Sequence, residues 1–271
     1  MTGGRDEAAA LFERYRTPPP PEATDGDRGL AAAAERGLVR VPPDGLEVAT
    51  YLWRPERATT LPPVLLVHGW GSRATHLAAI VRALTGAGRA CLAFDAPAHG
   101  ESPGTTTSMP QVIRCMRAVV AAQGPIDAVV GHSFGGMAAG LAFADRPEPG
   151  VPLAAGALAL IAAPGTIDSM TRRFLLAEGL SPDWAGPLHR VLKDVHGYDA
   201  ADFDLVRVAD RLPRRLLIVH DDEDPEVPVG DAERLAAARP DAEFLRTRRL
   251  GHLRILFGRP VLAALTRMLG A

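Results

Sequence analysis

The chain has 271 residues, 47% of them apolar and 23% charged, which is enough for one large domain with a substantial core. Its 30 basic and 32 acidic side chains nearly cancel, so nothing in the charge balance points to nucleic acid or an anionic membrane as the main partner. Only two cysteines occur, Cys91 and Cys115, which excludes a disulfide framework and reads as two small core residues.

In chain order, Asp6 to Arg16 suit a short helix with Leu11, Phe12 and Tyr15 on one face, stopped by the run Pro18 to Pro21. Thr24 to Gly29 is rich in Asp and Gly and reads as a linker. Residues 1–29 are therefore expected to form a separable N-terminal arm, either a docking arm or a weakly attached tail. The polar, acidic start lacks the basic end and apolar run of a signal peptide, and the expectation is a cytoplasmic protein. The longest apolar segment, Leu153 to Ala163, is too short to cross a bilayer, so no integral membrane association is expected.

From Leu38 the pattern turns to strands. Leu38–Val41 and Leu46–Trp53 flank the turn-rich Pro42-Pro43-Asp44-Gly45 and predict an antiparallel hairpin. Val64–His68, Ala90–Phe94, Ile126–Val130, Leu153–Ile161, Leu216–His220 and Phe244–Thr247 are short apolar runs suited to strands buried on both faces. Between them, Leu77, Ile80, Val81 and Leu84 recur at helical spacing, as do Val112, Cys115, Met116 and Val119. Val261, Leu262, Leu265 and Met268 do the same near the end. Strand and helix alternating with short loops predict an α/β domain over 30–271, a mostly parallel sheet flanked by helices. Residues 166–212 break the rhythm: with Phe174, Leu175, Leu180, Trp184 and Leu188 but no clear strand, they are expected to be a small helical cap.

The stretch with chemical content is Val129-Val130-Gly131-His132-Ser133-Phe134-Gly135-Gly136, followed by the apolar segment Met137 to Phe143. A strand, a Gly-x-Ser-x-Gly turn and a helix follow one another with no spare residue, which resembles the nucleophile elbow of the α/β-hydrolase superfamily. Other blocks extend the resemblance. His68-Gly69-Trp70-Gly71 resembles its H-G-x-x loop. Asp95-Ala96-Pro97-Ala98-His99-Gly100-Glu101-Ser102 resembles its D-x-x-G-x-G-x-S loop, with Ala98 in place of a glycine.

A serine hydroxyl needs a base beside it and a carboxylate to orient that base. The resemblance implies the order Ser, acid, His. His220-Asp221-Asp222-Glu223-Asp224-Pro225-Glu226-Val227-Pro228 holds five acids in six positions, and composition does not choose among them. The superfamily's D-x-x-V-P acid loop implies Asp224, leaving Asp221 and Asp222 as turn caps and Glu226 as an alternative. Leu250-Gly251-His252 stands where the superfamily's histidine stands, after the last strand, and makes His252 the expected base. The implied oxyanion donors are the backbone N–H groups of Trp70 and Phe134. The substrate contacts expected are Trp70, Phe134, Phe174 and Trp184, and Arg172 and Arg173 are either solvated or hold an acidic substrate group. His132 is expected to pack beneath the elbow, and Asp95 to bond loop backbone.

The resemblance therefore implies a serine hydrolase acting on a small-molecule acyl substrate, most simply a carboxylic ester, with no cofactor and no metal required. Thioesterase, lactonase, aminopeptidase and C–C hydrolase chemistry would use the same residues. A non-catalytic ligand-binding protein on this scaffold is the reading from another class.

Overall fold

Strands form where β-branched and other apolar residues run together between Gly- and Pro-rich turns, and the sheet they build fixes the place of every loop discussed below. The computed structural model describes residues 3–20, 22–43, 45–57, 60–145 and 147–270; Pro21 and Asp44, which fall on two of the expected turns, lie outside the described residues. Among the described residues eight strands make one sheet: β1 (Glu35–Val41), β2 (Leu46–Trp53), β3 (Val64–Val67), β4 (Cys91–Phe94), β5 (Ala128–His132), β6 (Ala157–Ile161), β7 (Arg215–Asp221) and β8 (Glu243–Thr247). Their order is β1-β2-β4-β3-β5-β6-β7-β8. β1 and β2 form the expected antiparallel hairpin, β2 runs antiparallel to β4, and every pairing from β4 through β3 to β8 is parallel.

The ten helices among the described residues are α1 (Gly3–Tyr15), α2 (Asp25–Ala32), α3 (Ala78–Gly86), α4 (Met109–Gln123), α5 (Phe134–Leu141), α6 (Ile167–Ala177), α7 (Ala185–His196), α8 (Val229–Ala238), α9 (Gly251–Arg254) and α10 (Arg259–Leu269). Because side chains alternate across a strand, the sheet feeds two cores. Val64 and Leu66 of β3 join one core with Ile80 and Leu84 of α3 and Val261 and Leu265 of α10. Leu65 and Val67 join the other with Val112 and Met116 of α4 and Met137 of α5. Cys91 and Cys115 are both buried. The segment between β6 and β7 is helical, carrying α6, α7 and a 3₁₀ stretch over Leu205–Arg211, with a single bridge between Thr166 and Asp204. No helix among the described residues is long and apolar enough to cross a membrane.

At the N-terminus one expectation is corrected, and of the two alternatives for the arm the structure favours docking. The stretch expected as a linker, Thr24 to Gly29, is the start of α2. Thr24 accepts from the Asp27 N–H while the Asp27 carboxylate accepts from the Thr24 N–H, a reciprocal cap that offsets the cost of Gly26 and Gly29. Trp53 Nε1 then donates to the Leu30 carbonyl and ties α2 to β2. Nor is α1 weakly attached. Ala8, Leu11 and Phe12 are buried, Phe12 to 2% exposure, and the helix lies along α7. Arg5 pairs with Asp194 of α7 at 2.9 Å, and Arg14 pairs with Glu178 just after α6. The apolar face of α1 was visible in the sequence; its partner, about 180 residues away in the chain, was not.

Among the described glycines, the closest approach to neighbouring backbone is at the elbow. A Cβ on Gly135 would stand 2.2 Å from the His68 carbonyl oxygen and 2.6 Å from that of Val67, so the start of α5 lies directly against the end of β3. Gly135→Ala should therefore cost about 3 kcal/mol, at the upper end of ordinary overpacking, because the obstacle is backbone. Gly29→Ala should do the reverse. That site is exposed, helical and has nothing within 4 Å of an added Cβ, so a gain of roughly 0.5–1 kcal/mol is expected. Urea unfolding of both variants checks the elbow contact and the helical state of α2 together.

Candidate active site

Ser133 sits at the junction of β5 and α5 with φ +52° and ψ −124°, a left-handed backbone that a serine adopts only when its neighbours enforce it. The Ser133 N–H donates to the Ile161 carbonyl at 2.9 Å, and the N–H groups of Gly136 and Met137 donate to the Ser133 carbonyl. A Cβ on Gly131 would meet Gly135 and Gly136 at 2.6 Å, so glycine is required at that end of the turn. Pinned in this way, the side chain leaves the turn half-buried and open to a cavity.

The structure brings Ser133, His252 and Asp224 into one hydrogen-bonded line. Ser133 Oγ donates to His252 Nε2 at 2.9 Å, and His252 Nδ1 donates to Asp224 Oδ2 at 2.8 Å. The Asp224 side chain is fully buried, and its other oxygen accepts from the N–H groups of Glu226 (2.7 Å) and Val227 (3.0 Å). Burial works against its charge. The hydrogen bond and charge of His252, with those two N–H groups, outweigh burial and hold the carboxyl below its usual range.

Three of the other four acids in the loop have identifiable surroundings. Asp221 accepts from Glu223 N–H, Thr247 Oγ1 and Leu250 N–H, and so holds the loop after β8 that delivers His252. Asp222 is paired with Arg246 and Arg248. Glu226 lines the cavity with a carboxylate oxygen 3.9 Å from His252 Nε2, without a hydrogen bond to it. Asp221 is a functional support that the sequence suggested only as a turn cap.

Three buried histidines hold the backbone around the serine. His68 Nδ1 donates to the Gly69 carbonyl at 2.8 Å, and its Nε2 accepts from Ala96 N–H. His99 Nδ1 donates to the Pro97 carbonyl, and its Nε2 accepts from Gly71 N–H at 3.0 Å. His132 Nε2 donates to the His252 carbonyl at 2.9 Å. Both of the first two use one ring nitrogen to donate and the other to accept, which only neutral imidazole can do. Asp95 bonds loop backbone as expected, accepting from the N–H groups of Ala74 and Glu101 and from the Tyr51 hydroxyl. The loop braced by His68 and His99 is the one carrying Trp70. At its start, a Cβ on Gly69 would lie 3.1 Å from Ser133 Cβ. The Trp70 ring meets the edge of Phe134 at 5.3 Å between centroids.

Ser133, Trp70, Phe134 and Phe174 all border a cavity of about 280 Å³. Trp184 does not: it borders a separate groove together with Ala8 of α1 and Pro187 of α7. Arg173 reaches the cavity and stands 3.7 Å from Glu226, whereas Arg172 pairs with Asp168 on the surface. Missing from the expected lining are Phe12, Tyr15 and Arg16 of the N-terminal segment, which border the same cavity. Their signal in the sequence was the apolar face shared by Leu11, Phe12 and Tyr15. Among the described residues, no group of three or more His, Cys, Asp or Glu is arranged to hold a metal ion.

Comparison with known proteins gives one family and one fold. The model of the Alpha/beta hydrolase family matches residues 64–264. No curated protein sequence matches the chain. Among solved structures, a Pyrococcus furiosus esterase superposes with a TM-score of 0.70 at 17% identity, over 94% of this chain and 97% of that one. Est1E from Butyrivibrio proteoclasticus gives 0.61 at 19% identity, over 85% and 96%. The esterase domain of a Rhodothermus marinus protein gives 0.59 at 23% identity, over 87% and 96%.

The buried histidines make stability sensitive to acid. Burial first, then neighbouring positive charge, pushes His68 and His132 down to about 3, against about 6.5 in an unfolded chain. The unfolded chain therefore binds protons that the folded one refuses. Stability is complete above about pH 6.5 and falls as pH drops from there towards 3. At about 1.4 kcal/mol per pH unit, the two residues together should remove about 4 kcal/mol by pH 5. Urea midpoints at about pH 7.5 and 5 measure the loss, and His132→Gln should show about half of it.

Proposed function

Because the chain belongs to the α/β hydrolase family, we propose that it is a serine esterase in which Ser133 is the nucleophile, His252 the general base and Asp224 the residue that orients His252. The observation that carries this reading is the unbroken line from Asp224 Oδ2 through His252 to Ser133 Oγ, with links of 2.8 and 2.9 Å. A nucleophile activated by an adjacent base needs this geometry, with the base held by a third group.

The reaction follows from the groups in hand. His252 Nε2 takes the proton as Ser133 Oγ attacks the ester carbonyl carbon, and the carbonyl π electrons move to oxygen. The N–H groups of Trp70 and Phe134 are proposed to receive that oxyanion. Phe134 is the first residue of a helix and so carries an N–H without an intrahelical acceptor, and Trp70 lies on the braced loop beside the serine. Collapse of the intermediate expels the alcohol, which leaves with the proton from His252. Water then attacks the acyl-enzyme with His252 again as base, releasing the acid and free Ser133. Asp224, ionised by its hydrogen bonds, keeps Nδ1 protonated so that Nε2 faces Ser133 throughout.

The choice of ester within the family's range is supported by the Pyrococcus, Butyrivibrio and Rhodothermus structures, two of them described as esterases and the third as Est1E. Thioesters and lactones expose the same carbonyl chemistry and belong in the same substrate panel. A fluorophosphonate probe should label the native protein and fail on Ser133→Ala; a folded protein that stays unlabelled would be a binding module instead. With a 4-nitrophenyl ester, Asp224→Asn should lower kcat by about 10³- to 10⁴-fold, because the histidine would be held in the wrong tautomer. Glu226→Gln should change it by less than about tenfold, since its carboxylate makes no hydrogen bond to His252. The opposite ranking would transfer the acid role to Glu226.

A further inference from the structure

The cavity beside Ser133 has a wall that the β6–β7 insertion does not supply. Six aromatic rings line it, drawn from the chain's eight Phe, three Tyr and three Trp: Phe12, Tyr15, Trp70, Phe134, Phe174 and Phe203. Two of these belong to α1, and they are joined to the insertion by direct ring contact, Tyr15 meeting the edge of Phe174 at 5.1 Å between centroids. Phe12 is 2% exposed and packs at 6.1 Å from Tyr15, so the wall is part of a core and not a loose flap. The segment that follows is equally fixed. Thr107 N–H donates to the Arg16 carbonyl at 2.9 Å, and Arg16 donates to Thr106 Oγ1 at 2.8 Å.

Each of the two arginines at the cavity has an acidic neighbour, although the Nε atoms of both are buried without a hydrogen-bond partner. Arg173 faces Glu226 at 3.7 Å, and Arg16 lies 3.2 Å from Glu13 besides its bond to Thr106. An acidic substrate group at Arg173 would also lie beside the Glu226 carboxylate, whereas an apolar group would meet ring faces and edges. Volume limits its size. A cavity of about 280 Å³ leaves room for a chain of several carbons beside the serine.

We infer that α1 is a specificity element of this hydrolase: Phe12 and Tyr15, with Phe174, receive the apolar half of a medium-chain ester. The inference rests on the reading of Ser133 as nucleophile. It differs from that reading in naming the substrate class and in assigning its choice to the first helix of the chain as well as to the insertion. Each methylene that fits or fails to fit such a wall changes kcat/KM by roughly ten- to a hundredfold, so small changes in ring size at position 12 should be visible.

The test uses two series of esters on the full-length protein, one varying the acyl group with a fixed alcohol and one varying the alcohol with a fixed acyl group. Phe12→Trp should lower the ratio of kcat/KM for the eight-carbon over the two-carbon member by at least about tenfold in one of the series. Phe12→Ala should move the optimum of that series to longer chains. Since Phe12 is also core, a second measurement avoids substitution altogether. Wild-type protein is treated with the 4-nitrophenyl ester of a methylphosphonate or an octylphosphonate. In each, Ser133 Oγ bonds to phosphorus as 4-nitrophenol leaves with the serine proton. Amide hydrogen exchange of residues 8–17 should slow in the octyl adduct and not in the methyl adduct. If both adducts form, yet residues 8–17 exchange alike and neither series responds to Phe12→Trp, the role of α1 is overturned while the nucleophile stands. If neither phosphonate reacts with folded wild type, the nucleophile reading itself fails and the inference falls with it.

Discussion

The contact between the serine turn and the end of β3 is the constraint on which the rest of the site depends. Gly135 lies so close to the Val67 and His68 carbonyls that no side chain fits, and Gly131 leaves the same lack of space on the other side of the turn. With both ends compressed, β5 can pass into α5 only through a left-handed residue, and that residue is Ser133. A left-handed serine is unfavourable by itself, on the order of 1–3 kcal/mol. It persists because the N–H and carbonyl groups around it are bonded to β6 and to the first turn of α5. The same compression brings Gly69 against the serine and the Trp70 ring against Phe134, so the hydroxyl and the loop beside it are set by one packing event.

Neutral histidines then do what charged groups could not. Burial removes the proton from His68 and His132 near neutral pH and lowers His99 in the same direction. Each ring is left with one donor and one acceptor. His68 and His99 spend both on loop backbone at Gly69, Ala96, Pro97 and Gly71. A lysine or arginine offers no acceptor, and a carboxylate offers no donor, so neither could join two loops through one side chain in this way. Ala98, with φ +63°, shows the same economy: the backbone keeps the glycine-like turn of the resembling motif although the residue there is alanine.

How much of this was legible differs from residue to residue. The strands were, since Val64–Val67 or Cys91–Phe94 has no alternative to burial once it is apolar on every side. Ser133 and His252 were legible from motif and order. The acid was not legible from composition: five acids in six positions look alike, and what separates them is which carboxylate is buried against the N–H groups of Glu226 and Val227 and which ones turn to Thr247, Arg246 or Arg248. Helix α2 was hidden by its glycines, because the Thr24–Asp27 cap that rescues it is a local pair easily read as turn chemistry. Trp184 was misleading for another reason. It stands in the 3₁₀ turn Pro182–Trp184 before α7, and that turn places it at a groove bordered by Ala8 and Pro187 and not at the serine.

The N-terminal segment shows why tertiary partners decide more than local pattern. Residues 12–19 form one uninterrupted run in which Phe12 and Tyr15 border the cavity, Arg16 bonds the loop before α4, and Pro19 rests on Gly71. Gly71 has φ +61°, and a Cβ there would stand 2.9 Å from Pro19 Cγ, so the proline sits directly on the loop that His99 holds from its other side. The proline run that the sequence marks as the end of a helix is thus also the piece that returns the chain to the serine. Under the proposed reading, the wall that selects the substrate and the loop that receives its oxyanion are braced by the same eight residues, so a change of packing at the wall can reach the reacting carbonyl through backbone without passing through the sheet.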